Sequence, residues 1–154
     1  MASGVYVFPD LAKLNLFNAT ALLSAVTTNF RIALLTSAYT PNNATHELFS
    51  QVSAAELATG GSYTAGGGTL TGVVLSQTAG VVKFTSSPFV WTASGGGIPV
   101  WRYAMVYYLG TLNAKVNPLL GYFLGDNTPA DIPLTTAGNT LTVTQNASGI
   151  LTAT

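Results

Sequence analysis

The sequence is poor in charge. Only ten of its 154 residues are charged, five of each sign, so the formal net charge at pH 7 is zero. These residues make up 6% of the chain, whereas an ordinary soluble domain carries about 25%. Without a basic surplus to neutralise phosphates, a nucleic-acid partner is not expected. So little charge protects weakly against self-association, which favours a protein that works within an assembly.

Cysteine is absent altogether. This absence excludes disulfide frameworks, thiolate metal sites and cysteine nucleophiles. Residues 1–4 lack the basic region that opens a signal peptide, so we expect no secretory leader. The most apolar early stretch, residues 11–26, is too short to cross a bilayer and is interrupted by Lys13 and several polar residues. The sequence therefore predicts no membrane partner.

Motifs that carry catalytic or metal chemistry are also missing. His46 is the single histidine, and Ser50 stands where a His-Glu-x-x-His zinc motif needs its second histidine. No Gly-x-Ser-x-Gly nucleophile turn occurs. Neither triple glycine, 66–68 or 95–97, is followed by the Lys-Ser/Thr pair of a phosphate-binding loop. We therefore expect no enzyme activity, no metal site and no cofactor.

Two carboxylates lie close together in the sequence, Asp126 and Asp131. They permit two functional interpretations, a glycosidase carboxylate pair and ligands of a loop-bound calcium ion. The simpler interpretation is that they form turns, since Asp and Asn start turns and the neighbouring Pro129 fixes them. The calcium-loop spacing and its terminal Glu are absent, which favours the turn.

Short apolar runs alternate with Gly, Pro and Asn along the chain. This pattern predicts a mainly β, single-domain fold, a β-sandwich or barrel-like structure with one or two short helices. We divide the chain into an N-terminal segment, residues 1–29, and a β-rich domain, residues 30–154. Residues 10–17 of the segment are expected to form one or two helical turns, because Leu11, Leu14 and Phe17 recur at helical spacing.

Seven or eight strands are expected in all. Those of the β-rich domain are 30–36, 69–76 with 81–85 as a hairpin, 89–92, 100–109, 119–124, and 140–144 with 150–154 as a last pair. The segment 100–109 is apolar on both faces, so it is predicted to be central with 119–124 beside it. We place Trp101 on the face of Tyr103. A short helix is expected to begin at Ser53, because Ser53 and Glu56 have capping-box spacing.

Six residues are candidates for contacts with a partner. They are Val5, Tyr6, Val7, Phe8, Trp101 and Arg102. The first four form a short apolar segment, which predicts either an arm that pairs with a neighbouring subunit or an ordinary edge strand. Arg102 is flanked by aromatic residues and can form a buried ion pair, a cation–π contact or the charge that orients a subunit contact.

Several segments together resemble a known family. They are FRIALLTS at 30–37, VSAAELATGGSY at 52–63, AGGGTL at 65–70, VWTASGGGIPVWRYA at 90–104 and PLLGY at 118–122. Their order of strands and turns resembles small structural proteins of tailed bacteriophages, some of which are capsid decoration (cement) proteins. The resemblance covers residues 30–154 and contains no residues that do chemistry.

The resemblance implies a virion structural protein on the outer capsid surface. Its partner would be the major capsid protein, and it would form a homo-oligomer at a capsid symmetry axis. By bridging neighbouring subunits of the assembled lattice, such a protein stabilises the shell through linkage. The alternative is a tail, baseplate or fibre module that contacts a host surface glycan, because the aromatic residues clustered between 89 and 123 can stack on sugars.

Overall fold

The computed structural model describes residues 3–7, 9, 29–79, 81–128, 130–147 and 149–153. Within these residues the chain is mainly β and forms a small sandwich-like structure of antiparallel sheets that do not close into a barrel. The predicted fold class is therefore confirmed as the sandwich. The helical turns predicted for residues 10–17 lie outside the described residues.

Eleven strands are present among the described residues. They are β1 (Phe30–Leu35), β2 (Gly68–Thr69), β3 (Val74–Thr78), β4 (Val81–Thr85), β5 (Phe89–Thr92), β6 (Tyr103–Tyr108), β7 (Thr111–Leu112), β8 (Lys115–Val116), β9 (Leu119–Leu124), β10 (Thr140–Val143) and β11 (Leu151–Ala153). The count exceeds the expectation because β2, β7 and β8 are two-residue strands that carry no apolar alternation of their own.

The main sheet has the order β2-β1-β6-β9, and all its pairs are antiparallel. β6 lies between β1 and β9, so the prediction of a central strand is confirmed, with its start corrected from residue 100 to Tyr103. Successive side chains of a strand point to opposite faces. Accordingly Ala104 and Val106 pack into one core while Met105 and Tyr107 pack into a second core on the other face.

The larger core lies between the main sheet and a second layer. That layer consists of the ribbon β10-β5 and the sheet β11-β4-β3. Trp91 of β5 and Leu141 of β10 are directly opposite each other in the register, and both side chains enter this core. Phe84 of β4 joins them there.

The predicted pairing of the last two strands is wrong. β10 pairs with β5, and β11 pairs with β4. The physical reason is burial. In β10, Leu141 and Val143 are buried and alternate with exposed threonines. Its partner strand must therefore also turn a buried face towards the main sheet. β5 supplies that face through Trp91.

The short helix predicted from Ser53 begins at that residue but is a single 3-10 turn, Ser53–Ala55, which follows another, Phe49–Gln51. The predicted capping box is wrong, because Glu56 is already extended. Glu56 forms an isolated bridge with Leu35, and its carboxylate bonds elsewhere, so it does not cap a helix. Gln51 caps the preceding turn in its place, because its Oε1 accepts the backbone N–H of Leu48 at 2.8 Å.

Trp101 does not share the face of Tyr103 as expected. It precedes β6, pairs by an isolated bridge with Ile132, and packs into the larger core with Ala104. The regular alternation begins only at Tyr103, where the ladder with β1 and β9 starts.

Candidate interaction surface

The charged side chains of the described residues mostly serve local contacts. Arg102 Nε lies 2.7 Å from Asp131 Oδ1, and Lys115 Nζ lies 2.8 Å from Glu47 Oε1. Arg102 therefore makes the predicted ion pair, but in a partly exposed position and not in a buried one. This hydrogen bond to Asp131 raises the pKa of Arg102. Exposed pairs of this kind are screened by solvent, so they orient loops more than they stabilise the fold.

Asp126 and Asp131 each bond to a separate local partner. Oδ1 of Asp126 accepts the backbone N–H and the hydroxyl of Thr128, both at 2.9 Å, which is the predicted turn. The backbone bond, followed by the hydroxyl bond, holds the pKa of Asp126 below its ordinary value. Asp131 is engaged by Arg102. Among the described residues, no group of three or more His, Cys, Asp or Glu side chains is placed to hold a metal ion.

Glu56 organises a structural network on the main sheet. Its Oε1 accepts a hydrogen bond from Tyr63 Oη and another from the backbone N–H of Gly66, both at 2.6 Å. Burial, and then the bond to Glu56, raise the pKa of Tyr63. The same tyrosine oxygen accepts the N–H of Leu34 at 3.0 Å. The carboxylate thus fixes the loop at 66–68 onto β1.

The first triple glycine is a docking loop for the sheet. A Cβ on Gly67 would lie 2.0 Å from the carbonyl oxygen of Ile32, and the φ of Gly67 is +69°. Tyr107 Oη donates to the carbonyl of Gly66 at 2.7 Å, and Arg31 Nη1 donates to that of Gly67 at 3.1 Å. The backbone at Gly67 approaches β1 too closely for any side chain, so this position serves packing against the sheet.

The N-terminal residues lie along the main sheet of their own chain. Gly4 donates to the carbonyl of Leu124 at 3.0 Å, and Val7 exchanges two hydrogen bonds with Tyr122, at 2.7 and 3.0 Å. Tyr6 packs against Phe123, and Val5 is 79% exposed. Phe8 lies outside the described residues. This arrangement matches the edge-strand interpretation, and pairing with a neighbouring subunit stays a prediction.

Trp101 and the N-terminal segment meet at a small cleft. The cleft has a volume of about 90 Å³. It is lined by Ser3, Trp101, Phe123, Gly125, Leu141, Thr142, Val143 and Thr144, none of them charged. Trp101 is 3% exposed, and its Nε1 is buried without a hydrogen-bond partner. Small-molecule sites usually measure about 300–1,000 Å³, so this cleft is too small for a sugar ring and its substituents.

Most of the clustered aromatic rings are core residues. The buried ones include Trp91, Trp101, Tyr107, Tyr108 and Phe123, whereas Phe89 and Tyr103 are half-buried. A buried ring offers no face on which a sugar can stack. Packing therefore accounts for most of the cluster, and the glycan-binding alternative stays a prediction.

The outer face of the β5–β10 ribbon is exposed and uncharged. In the register, Val90 lies opposite Thr142, and Thr92 lies opposite Thr140; all four side chains are exposed. Sequence reasoning did not single out this surface. The available signal was the alternation of threonine with buried Leu141 and Val143, which marks one face of a strand as solvent-facing yet free of charge.

Comparisons of the chain with protein-family models, with curated proteins and with solved structures found no match. Among the helices in the described part of the chain, none is both long enough and apolar enough to span a membrane.

Proposed function

We propose that this chain is a structural protein of a tailed bacteriophage virion. In this proposal it decorates the outer capsid surface and bridges major capsid subunits. The observation that carries the proposal is the uncharged ribbon face formed by Val90, Thr92, Thr140 and Thr142 on the outside of the sandwich. The resemblance of residues 30–154 to small phage structural proteins supports the same role.

The surface suits contact through shape and backbone more than through charge. Outside the ribbon, apolar side chains such as Val74, Val100 and Val116 are also 44–59% exposed. An exposed threonine and valine face buries well against another flat surface, because it brings no charge that must lose its water. A decoration protein needs several such faces, since each copy must touch more than one neighbour.

Binding to an assembled lattice is the property that separates this role from others. Purified protein should bind capsids that lack it and should not bind dissociated capsid subunits, because a bridging site exists only where two subunits meet. Linkage then predicts that the temperature of capsid disruption rises with protein concentration.

The variant Thr92→Lys tests the ribbon face, and Thr71→Lys, an exposed threonine outside the ribbon, is the matched control. Lysine at 92 should weaken capsid binding at least about tenfold, because it places an unpaired charge in the contact. Equal binding by both variants would remove the ribbon face from the proposal. Binding to isolated subunits as tightly as to capsids would overturn the bridging role.

A further inference from the structure

The ribbon β5–β10 has a free strand edge beside the cleft. Ala93 donates to the carbonyl of Asn139 at 2.8 Å, so this pair is hydrogen-bonded. Hydrogen-bonded and non-hydrogen-bonded pairs alternate in an antiparallel ladder. The backbone N–H and C=O groups of Thr140 and Thr142 therefore face away from β5, and they have no backbone partner in the described part of the chain.

This edge lacks the usual protection. Exposed edge strands normally carry a lysine, a proline or a bulge that discourages pairing with another chain. Residues 140–145 contain no charged residue and no proline, and residues 132–154 contain no charged residue at all. By contrast, the edge strand β3 has a charged residue beside it. Exposed Lys83 of the neighbouring strand β4 lies opposite Ser76 of β3.

A second observation at the same place marks an incomplete contact. The cleft is lined by residues 141–144 of β10 and the segment that follows it, and by Trp101, whose buried Nε1 donor has no partner among the described residues. β5 offers the other edge of the same ribbon, but the cleft and the unpartnered indole lie beside β10.

We propose that the free edge of β10 pairs antiparallel with β10 of a second copy of this chain. Two identical antiparallel strands are related by a two-fold axis, so each copy presents the same surface to the other. The pairing joins two ribbons into one four-stranded sheet and satisfies the backbone groups of Thr140 and Thr142. The second copy also closes the cleft that Trp101 lines.

The absence of charge favours a second copy as the occupant. The edge, its neighbouring strand and the cleft are uncharged, so they fit a segment that is uncharged as well, and β10 itself is such a segment. The formal net charge of zero adds no repulsion between copies. The inference rests on the proposed function for its setting, because a decoration protein at a symmetry axis needs a symmetric contact.

Sedimentation and NMR of the purified protein at a series of concentrations test the pairing without any capsid. On going from dilute to concentrated protein, sedimentation should change from monomer to dimer. In the same range, hydrogen exchange at the amides of Thr140 and Thr142 should slow at least about tenfold. The indole signal of Trp101 should move, while Trp91, the only other tryptophan, serves as internal control.

Two lysine variants complete the test. Thr142→Lys should weaken dimerisation at least about tenfold, since it sets like charges near each other across the new strand pair. Thr92→Lys changes an exposed residue of the same face on β5 and should alter the dimer dissociation constant less than about twofold. Amide exchange in each monomer reports whether the variant is folded.

Three outcomes would overturn the pairing. One is a protein that stays monomeric with fast exchange at Thr140 and Thr142, in which case the cleft holds only water. The second is a dimer whose protected amides lie in another strand, and the third is equal weakening by both lysine variants. Because capsid binding is measured separately, capsid binding by a protein that fails these tests removes the β10 contact and leaves the proposed function standing.

Discussion

At the scale of single residues, the chain places its scarce polar groups where backbone must be fixed. Glu56 holds Tyr63 and the N–H of Gly66, and Asp126 holds the turn at Thr128. Gly67 complements them by allowing the backbone to approach Ile32 where no side chain fits. In the sequence, acidic residues and glycine runs of this kind suggested chemistry. In the structure each of these residues has a local role in fixing the backbone.

Gly67 provides the sharpest test at this scale. Gly67→Ala should lower the free energy of unfolding by about 3 kcal/mol or more, because the new Cβ meets the Ile32 carbonyl and the positive φ is strained. Gly96→Ala is the control, since nothing lies within 4 Å of its Cβ and its φ is not in the left-handed region. Urea denaturation of both variants measures the difference. Equal stability of the two variants would show that the loop does not dock as described.

At the scale of secondary structure, strands with strong alternation were predictable from sequence. Phe89–Thr92 and Leu119–Leu124 have the expected bounds, because in each an apolar pattern and flanking turn residues agree. The capping box predicted at Ser53 is wrong because that local spacing signal competed with tertiary bonds that draw Glu56 to Tyr63 and Gly66. Strand partners such as β10 and β5 depend on which faces are buried together, and that information is not local.

The site was less predictable than the fold for a related reason. The sequence predicts an ion pair for Arg102 without identifying its partner. That partner, Asp131, is 29 residues away, and only the folded structure brings the two side chains together. The burial of Trp101 depends on Ile132, which the turn around 125–131 brings back beside it. The cleft and the free edge of β10 arise from such long-range placements, so no sequence pattern marked them.

The central position of β6 leads to a prediction at the element scale. Ala104 is fully buried between β1 and β9, so Ala104→Asp should prevent folding by burying an unpaired charge, at a cost above about 4 kcal/mol. Val90→Asp, on the exposed face of β5, should leave a folded protein. Circular dichroism and amide dispersion in NMR spectra compare the two. A soluble, native-like Ala104→Asp variant would refute the placement of β6.

At the scale of the whole molecule, buried tyrosines make the free energy of unfolding depend on pH. Burial is the largest cause of a raised pKa at five of the seven tyrosines. They are Tyr6, Tyr39, Tyr63, Tyr107 and Tyr122. The unfolded chain ionises its tyrosines near 10.0, so below that pH both states keep these protons. Above it, the unfolded state loses protons that the folded state retains, and the free energy of unfolding must fall as pH rises.

Alkaline unfolding checks this expectation. Urea midpoints should decline progressively above about pH 10, and the near-ultraviolet absorbance of tyrosinate should rise with unfolding. A folded protein in which all seven tyrosines ionise together near pH 10, with an unchanged urea midpoint, would contradict the burial of these side chains.

The molecule combines a sandwich fold with an uncharged ribbon face, and its few charged side chains mostly serve local contacts. These properties support the proposal of a shell component, and the location of the chain in a virion tests that proposal most directly. A reconstruction of the virion should show density for this sandwich outside the capsid, over junctions between major capsid subunits at local symmetry axes. Finding the protein only in tail fractions of disrupted virions, with no such density on the capsid, would contradict the account.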